Sequence, residues 1–394
     1  MKTHNRIIVI IVLSQFCCTS LWFASNAVIS QLISSFNLTE SALGHLTSAV
    51  NLGFIIGTLV YAVFNFADRF SPSRVFFISA IIACIFNLAC IIAYNTLFSL
   101  ITYRFFTGFF LAGIYPVGMK IASDYSQAGL GKALGFLVGA LVLGTASPHL
   151  LNEFSIAFSW EIVFISTSVL ACIGGLLMIL LVPNGPYRKP NPKTNLLACF
   201  KVFKNKRLQQ AAFGYFGHMW ELYTFWAFVP VMVTAFNSVN SDTNLNVSLV
   251  SFSIIAIGGL ACVIGGYVSQ HLSVAKTAVF ALSASFLCCL VSPLFFMSQS
   301  TIVFLIFMCF WGMVVIADSP LFSTLVANNA TPKNKGTAIT IVNSIGFAIS
   351  IISIQTISYI LSATSSNYIY MILAIGPAFG LISFRKLNKI NKII

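Results

Sequence analysis

Long apolar runs, separated by short polar clusters, follow one another along almost the whole chain. A helix needs about 20 apolar residues to cross a bilayer. The pattern predicts twelve such helices, at 7–34, 42–65, 74–94, 97–120, 132–151, 160–182, 209–236, 247–269, 275–297, 300–325, 336–361 and 367–384. They are numbered spans 1 to 12. Two boundaries fall inside uncharged stretches, 277–317 and 336–384, and are set by the polar clusters Ser298-Gln299-Ser300 and Ser362 to Asn367. The first run opens after Lys2 and Arg6 and meets no charge up to Phe36. That is too long for the apolar core of a cleaved signal peptide, so it is expected to remain as span 1.

Composition agrees with lipid as the solvent. Apolar residues make up 58% of the 394 and charged residues 7%, against about 25% charged in a soluble domain. The expected fold class is an all-α integral membrane protein, with no room for a large soluble domain. The net charge of +13 would suit a nucleic-acid partner, but its placement argues otherwise. Twenty of the 21 Lys and Arg, from Lys2 and Arg6 through Lys120 and Arg188 to Lys392, fall on one side of the twelve-span topology. The opposite loops hold Glu40, Glu153, Glu161 and Asp242. Cytoplasmic loops carry the Lys/Arg excess, so both termini are expected in the cytoplasm and the chain in the inner membrane. The tail from Arg385 to Lys392 would also meet anionic lipid headgroups. No nucleic-acid partner is expected.

Residues 183–208 carry four prolines and seven Lys or Arg, and read as a linker between halves 1–182 and 209–394. The halves look like copies. Gly108 and Pro116 in span 4 recur 204 residues on as Gly312 and Pro320 in span 10. The loop from Ala67 to Arg74 recurs as Ser269 to Lys276. Parallel six-helix repeats are one of the plans of secondary transporters.

The stretch Phe64 to Arg74 resembles the signature that the major facilitator superfamily carries between its second and third spans. Asp68, Arg69 and Arg74 match it; Phe64 and Ser71 stand where glycines belong, and Pro72 and Ser73 replace basic residues. The later copy keeps Gly266 and Lys276 but has Gln270 for the acid. Arg104 followed by Gly108 is similar to the family's span-4 signature. Gly135, Gly139, Gly144 and Pro148 sit where its antiporter signature lies, with the proline displaced, which speaks against efflux. The resemblance implies two pseudo-symmetric six-helix bundles around a cavity that opens alternately to either side. It also implies that Asp68, Arg69 and Arg74 take part in gating.

Candidate site residues are the polar groups inside apolar runs. Glu221 lies near the middle of span 7, at the depth where transporter sites form. A carboxylate kept from water favours its protonated form and can carry a proton. His218, three residues earlier, shares its helix face, and Tyr223 and Trp226 share an adjacent one. Arg104 is the one cation inside a span, about 10 Å deep at the helical rise. It either faces a polar interior, binding an anion or tuning the acid, or snorkels outward. Trp22, Ser25 and Asn26 interrupt span 1 and are candidate cavity lining; Asp318 is a possible second acid. The ten cysteines read as small apolar fillers. No zinc spacing, nucleotide-binding loop or nucleophile triad stands out, so neither a cofactor nor an enzyme is expected.

These residues point to a secondary transporter, working as a monomer, that takes up a small organic or inorganic anion with protons. The span-7 stretch Gly217 to Trp226 and the span-4 stretch Pro116-Val117-Gly118-Met119-Lys120 are loosely similar to bacterial cyanate- and nitrate-type permeases. The rival readings are proton-driven efflux of apolar compounds, a uniporter, and a non-transporting sensor with the same fold.

Overall fold

The computed structural model describes residues 2–125, 130–155, 159–188, 203, 205–240, 243–331, 335–364, 366 and 368–390. Most of the predicted linker (189–202 and 204), with Cys199, lies outside them, as do Asp242, Lys333 and Lys392. The described residues are helical, with no strand among them.

Ten helices are long and apolar enough to cross a membrane: Ala42–Val63, Pro72–Ala89, Leu97–Tyr125, Gly135–Phe154, Glu161–Leu181, Lys206–Val239, Val247–Leu272, Val274–Phe296, Thr301–Asn329 and Lys335–Ala363. They stand at spans 2 to 11. Shorter apolar helices, Arg6–Thr19 and Ile369–Phe384, stand at spans 1 and 12. The chain is thus an all-α, multi-pass membrane protein.

The two short ones are interrupted spans. Span 1 runs Lys2–Thr19, turns, and continues as Ala24–Ala27 and Ile29–Phe36. Around the first break, Thr19 and Ser20 donate to the carbonyls of Gln15 and Cys17; such local bonds compete with the helix ladder. Span 12 starts as a 3₁₀ helix, Ile369–Ala374, and becomes α-helical at Ile375–Ile390. The change falls just before Pro377, which has no N–H to donate back into the preceding turn.

Several spans outrun their apolar cores. Span 4 extends to Tyr125 and span 10 to Asn329, because a search for apolar residues misses the polar last turns. Asn205 starts span 7 by accepting from the N–H groups of Arg207 and Leu208.

The repeat seen in the sequence recurs in the backbone. Span 4 opens on the N-cap Thr96 and span 10 on Ser300, 204 residues on. Each then breaks, and restarts at Tyr115 and Ser319, again 204 apart.

Contacts divide the chain into two compact units: Met1–Lys193 with Ser248–Gly259, and Thr194–Val247 with Leu260–Ile394. In the first unit, spans 2 and 4 touch through glycine. A Cβ added at Gly108 would overlap the Val50 carbonyl, and one at Gly53 the Phe105 carbonyl. Lipid offers helices no hydrophobic drive to associate, so close backbone approach at small residues supplies the attraction.

Candidate functional site

In the second unit, the middle of span 7 carries most of the candidate chemistry. Glu221 is 1% exposed. Three donors converge on its Oε1: Ser285 Oγ at 2.5 Å, Trp311 Nε1 at 2.7 Å and Cys289 Sγ at 3.2 Å. Span 9 contributes the serine and the thiol, and span 10 the indole. The Trp311 ring lies 4.7 Å from Phe225 and 5.6 Å from Phe307, which walls the carboxylate with aromatic carbon. No Lys or Arg among the described residues pairs with Glu221. Three donors on one oxygen satisfy that oxygen in either protonation state.

His218 does not join Glu221, although both are on span 7. Its Nδ1 lies 2.7 Å from Oδ1 of Asp318, and both side chains are 1% exposed. Asp318 occupies the break of span 10, between Thr301–Ala317 and Ser319–Asn329. The candidate second acid and the candidate histidine are therefore one pair. Tyr223 and Trp226 are buried and meet edge to face at 5.5 Å. Tyr223 also lies 4.9 Å from Phe347 of span 11, so both aromatics are part of the packing of this unit.

In the first unit, Arg104 is fully buried and does not snorkel. Its Nη2 donates to the carbonyls of Leu21 (2.8 Å) and Trp22 (2.6 Å), and its Nη1 to Asn87 Oδ1 (2.9 Å). Leu21 and Trp22 lie in the break of span 1, where helical bonding leaves carbonyls without partners. Asn87 of span 3 passes the network on to Phe164 O, Thr167 Oγ1 and Ser168 Oγ of span 6. Arg104 thus ties spans 1, 3, 4 and 6 through one guanidinium. Beside it, Trp22 donates to Asn51 Oδ1 at 3.2 Å and Asn26 donates to Thr47 Oγ1 at 2.8 Å. Both acceptors belong to span 2. Ser25 is also buried, with no hydrogen-bond partner for its hydroxyl among the described residues.

At the end of the first unit that carries the basic residues, Asp68 pairs with Lys120 at 2.9 Å. Lys120 also approaches Asp124 at 3.8 Å. Arg188 Nη2 donates to the carbonyls of both Asp68 and Phe70 at 2.9 Å. Arg69 and Arg74 are exposed and form no ion pair among the described residues. Phe64, where the span 2–3 signature wants a glycine, keeps right-handed helical dihedrals, φ −81°. Asn65 takes the left-handed conformation, φ 50°, which asparagine tolerates better than most residues.

Sequence reasoning missed Asn87, Ser285, Cys289, Trp311, Lys120 and Arg188. Cys289, read as an apolar filler, is a donor to Glu221. An isolated asparagine in an uncharged run was the one available signal for Asn87.

A bundle of interrupted membrane helices, with charged and polar groups buried inside each unit, is the anatomy of a membrane transporter. Residues 11–354 match the Major Facilitator Superfamily, and the chain belongs to that family. The curated proteins and solved structures it matches are named as transporters, as a symporter or as a homolog of a transporter. Among curated proteins, it is 32% identical over 161 residues to the niacin transporter NiaP of Acinetobacter baylyi (strain ATCC 33305 / BD413 / ADP1), covering 38% of this chain and 32% of that protein. It is 33% identical over 159 residues to the 4-hydroxybenzoate transporter PcaK of the same strain, covering 39% of this chain and 33% of that protein. The matches thus span about a third of each relative's length. Among solved structures, the fold matches the proton:xylose symporter XylE with a TM-score of 0.75 at 14% identity, covering 98% and 96% of the two chains. It matches a bacterial homolog of the human lysosomal transporter Spinster with a TM-score of 0.68 at 15% identity, covering 97% and 95%.

Proposed function

We propose that this chain takes up a small organic anion across the inner membrane together with protons, with both termini in the cytoplasm. The halves 1–182 and 209–394 alternate access, and residues 183–208 link them in a transporter that works as a monomer. The observation that carries the proton-coupled reading is Glu221, a buried carboxylate with three neutral donors and no cation partner among the described residues. Such a group is costly to charge away from water, and a proton relieves that cost. The anion reading draws support from the two curated relatives, whose named substrates, niacin and 4-hydroxybenzoate, are both aromatic carboxylates.

The test is flux of labelled nicotinate and 4-hydroxybenzoate into proteoliposomes with an imposed pH gradient. Accumulation that follows the gradient supports uptake with protons. Flux indifferent to the gradient points to a uniporter, and outward accumulation points to efflux. No flux across a wide panel of organic anions and apolar compounds would favour the sensor reading.

A further inference from the structure

We propose that His218 and Asp318 form a second proton-binding site, distinct from Glu221, at the break of span 10. The inference rests on the proton-coupled reading above and adds a site to it.

The geometry defines the chemistry. His218 Nδ1 and Asp318 Oδ1 are 2.7 Å apart, and both side chains are 1% exposed. The other ring nitrogen, His218 Nε2, and the other carboxylate oxygen, Asp318 Oδ2, are buried without a hydrogen-bond partner among the described residues. With Nδ1–H donated to an ionised carboxylate, the pair carries a net charge of minus one. A proton arriving at Nε2 gives an imidazolium facing a carboxylate, and the pair becomes neutral overall. The contact then becomes a charge-assisted hydrogen bond. The open nitrogen is therefore the place where the proton lands: an N–H bond forms at Nε2 as the O–H bond of the hydronium that delivers the proton breaks.

The groups around the pair leave it this role. On span 7, Glu221 lies three residues along, with its Oε1 committed to Ser285, Cys289 and Trp311. The Tyr215 ring is 5.9 Å from the imidazole. On span 10, the facing ring is Phe322 at 6.5 Å. From span 8, Cys262 donates its thiol to the Ile316 carbonyl at 3.6 Å. No Lys or Arg among the described residues pairs with either member. Glu221 and Asp318 repel each other when both are ionised, so occupancy of one proton site bears on the other.

The position keeps the carboxylate for the imidazole. Asp318 closes Thr301–Ala317 and stands at the N-cap of Ser319–Asn329, yet its carboxylate makes no cap bond. A cap bond would need the N–H of the second or third helical residue. Pro320 has none to give, and the N–H groups of Leu321 and Phe322 already donate to the Asp318 carbonyl. Among the described residues the imidazole is therefore the partner left to this carboxylate.

The experiment is nitrogen NMR on detergent-purified protein carrying ¹⁵N-histidine, titrated from about pH 8 to about pH 5, the window in which histidine changes charge. The imidazole signal absent in His218→Gln belongs to His218. It is expected to pass from neutral to imidazolium in wild type and in Glu221→Gln, and to stay neutral throughout in Asp318→Asn. A His218 signal that is constant in wild type, or that titrates alike in Asp318→Asn, overturns the proposal. If Asp318→Asn does not purify as a monodisperse protein, Asp318→Ser replaces it. That variant also removes the carboxylate, and an imidazole titrating there as in wild type overturns the dyad. Failure of Glu221 as a carrier shows up separately, as gradient-driven flux that survives Glu221→Gln while the His218 titration is unchanged.

Discussion

Lys120 Nζ sits 2.9 Å from Asp68 Oδ1 and 3.8 Å from Asp124 Oδ1, so a single ammonium fastens the loop after span 2 to the last turn of span 4. Arg188, just beyond span 6, holds the same loop by its backbone. Asp68→Asn keeps the shape of the side chain and removes its charge. The two side chains are only 14% and 15% exposed, so the loss lies between the roughly 0.2–1 kcal/mol of an exposed pair and the roughly 3–5 kcal/mol of a buried one, and the protein should still express and fold. Turnover in proteoliposomes should fall several-fold if the loop must shift during the cycle. A rate equal to wild type would make the pair a fastener without a gating role.

Glu221→Gln separates the charge from the packing at the centre of the second unit. The amide oxygen can accept from Ser285, Trp311 and Cys289 as Oε1 does now, so thermal stability should stay within about 1 kcal/mol of wild type. Gradient-driven accumulation should be lost while exchange of substrate across the membrane persists. Accumulation that survives with its pH dependence intact would move the coupling acid elsewhere.

The spans were legible because lipid leaves a strong signature, long uncharged runs with polar breaks. The 204-residue repeat was legible in Gly108, Pro116, Gly312 and Pro320, and the caps Thr96 and Ser300 extend it. The partners of the buried groups were not. Ser285, Cys289 and Trp311 lie 64, 68 and 90 residues from Glu221, and no local pattern links them. Three-residue spacing puts His218 and Glu221 on one helix face. Helix periodicity says which residues neighbour one another on a span, and not which neighbouring span each one meets. Asp318 drew His218 away because the break in span 10 places it there.

The one-sided distribution of Lys and Arg makes a prediction about orientation. In a background without other reactive thiols, cysteine at Tyr187 should be labelled from the cytoplasmic side and cysteine at Thr243 from the opposite side. Tyr187 is exposed, and replacing it leaves the Arg188 contacts with Asp68 and Phe70 in place. Any other labelling pattern contradicts the twelve-span topology.

The last prediction concerns Arg104. Its guanidinium serves three acceptors on two other spans: Asn87 Oδ1, Leu21 O and Trp22 O. Hydrogen bonds from a charged donor contribute roughly 1.5–3 kcal/mol each, and leaving a buried acceptor unmade carries its own desolvation cost. A lysine ammonium is a compact point donor and cannot reproduce a planar fork that reaches two spans at once. Arg104→Lys should therefore lower thermal stability by the equivalent of at least one such bond. Arg104→Gln, shorter and uncharged, should lower it more. If Arg104 serves the substrate instead, as a contact for its carboxylate, Arg104→Lys should weaken nicotinate or 4-hydroxybenzoate binding while stability stays at the wild-type value. Thermal unfolding and ligand binding measured on the same preparations separate the two roles. Asn87→Ala gives an independent check, because it removes the acceptor and the bridge to span 6 without touching the cation. A stability loss shared by Arg104→Lys and Asn87→Ala, and not additive in the double variant, would identify the network as the fastening of span 1 at its break. Additive losses would mean that the two residues act separately.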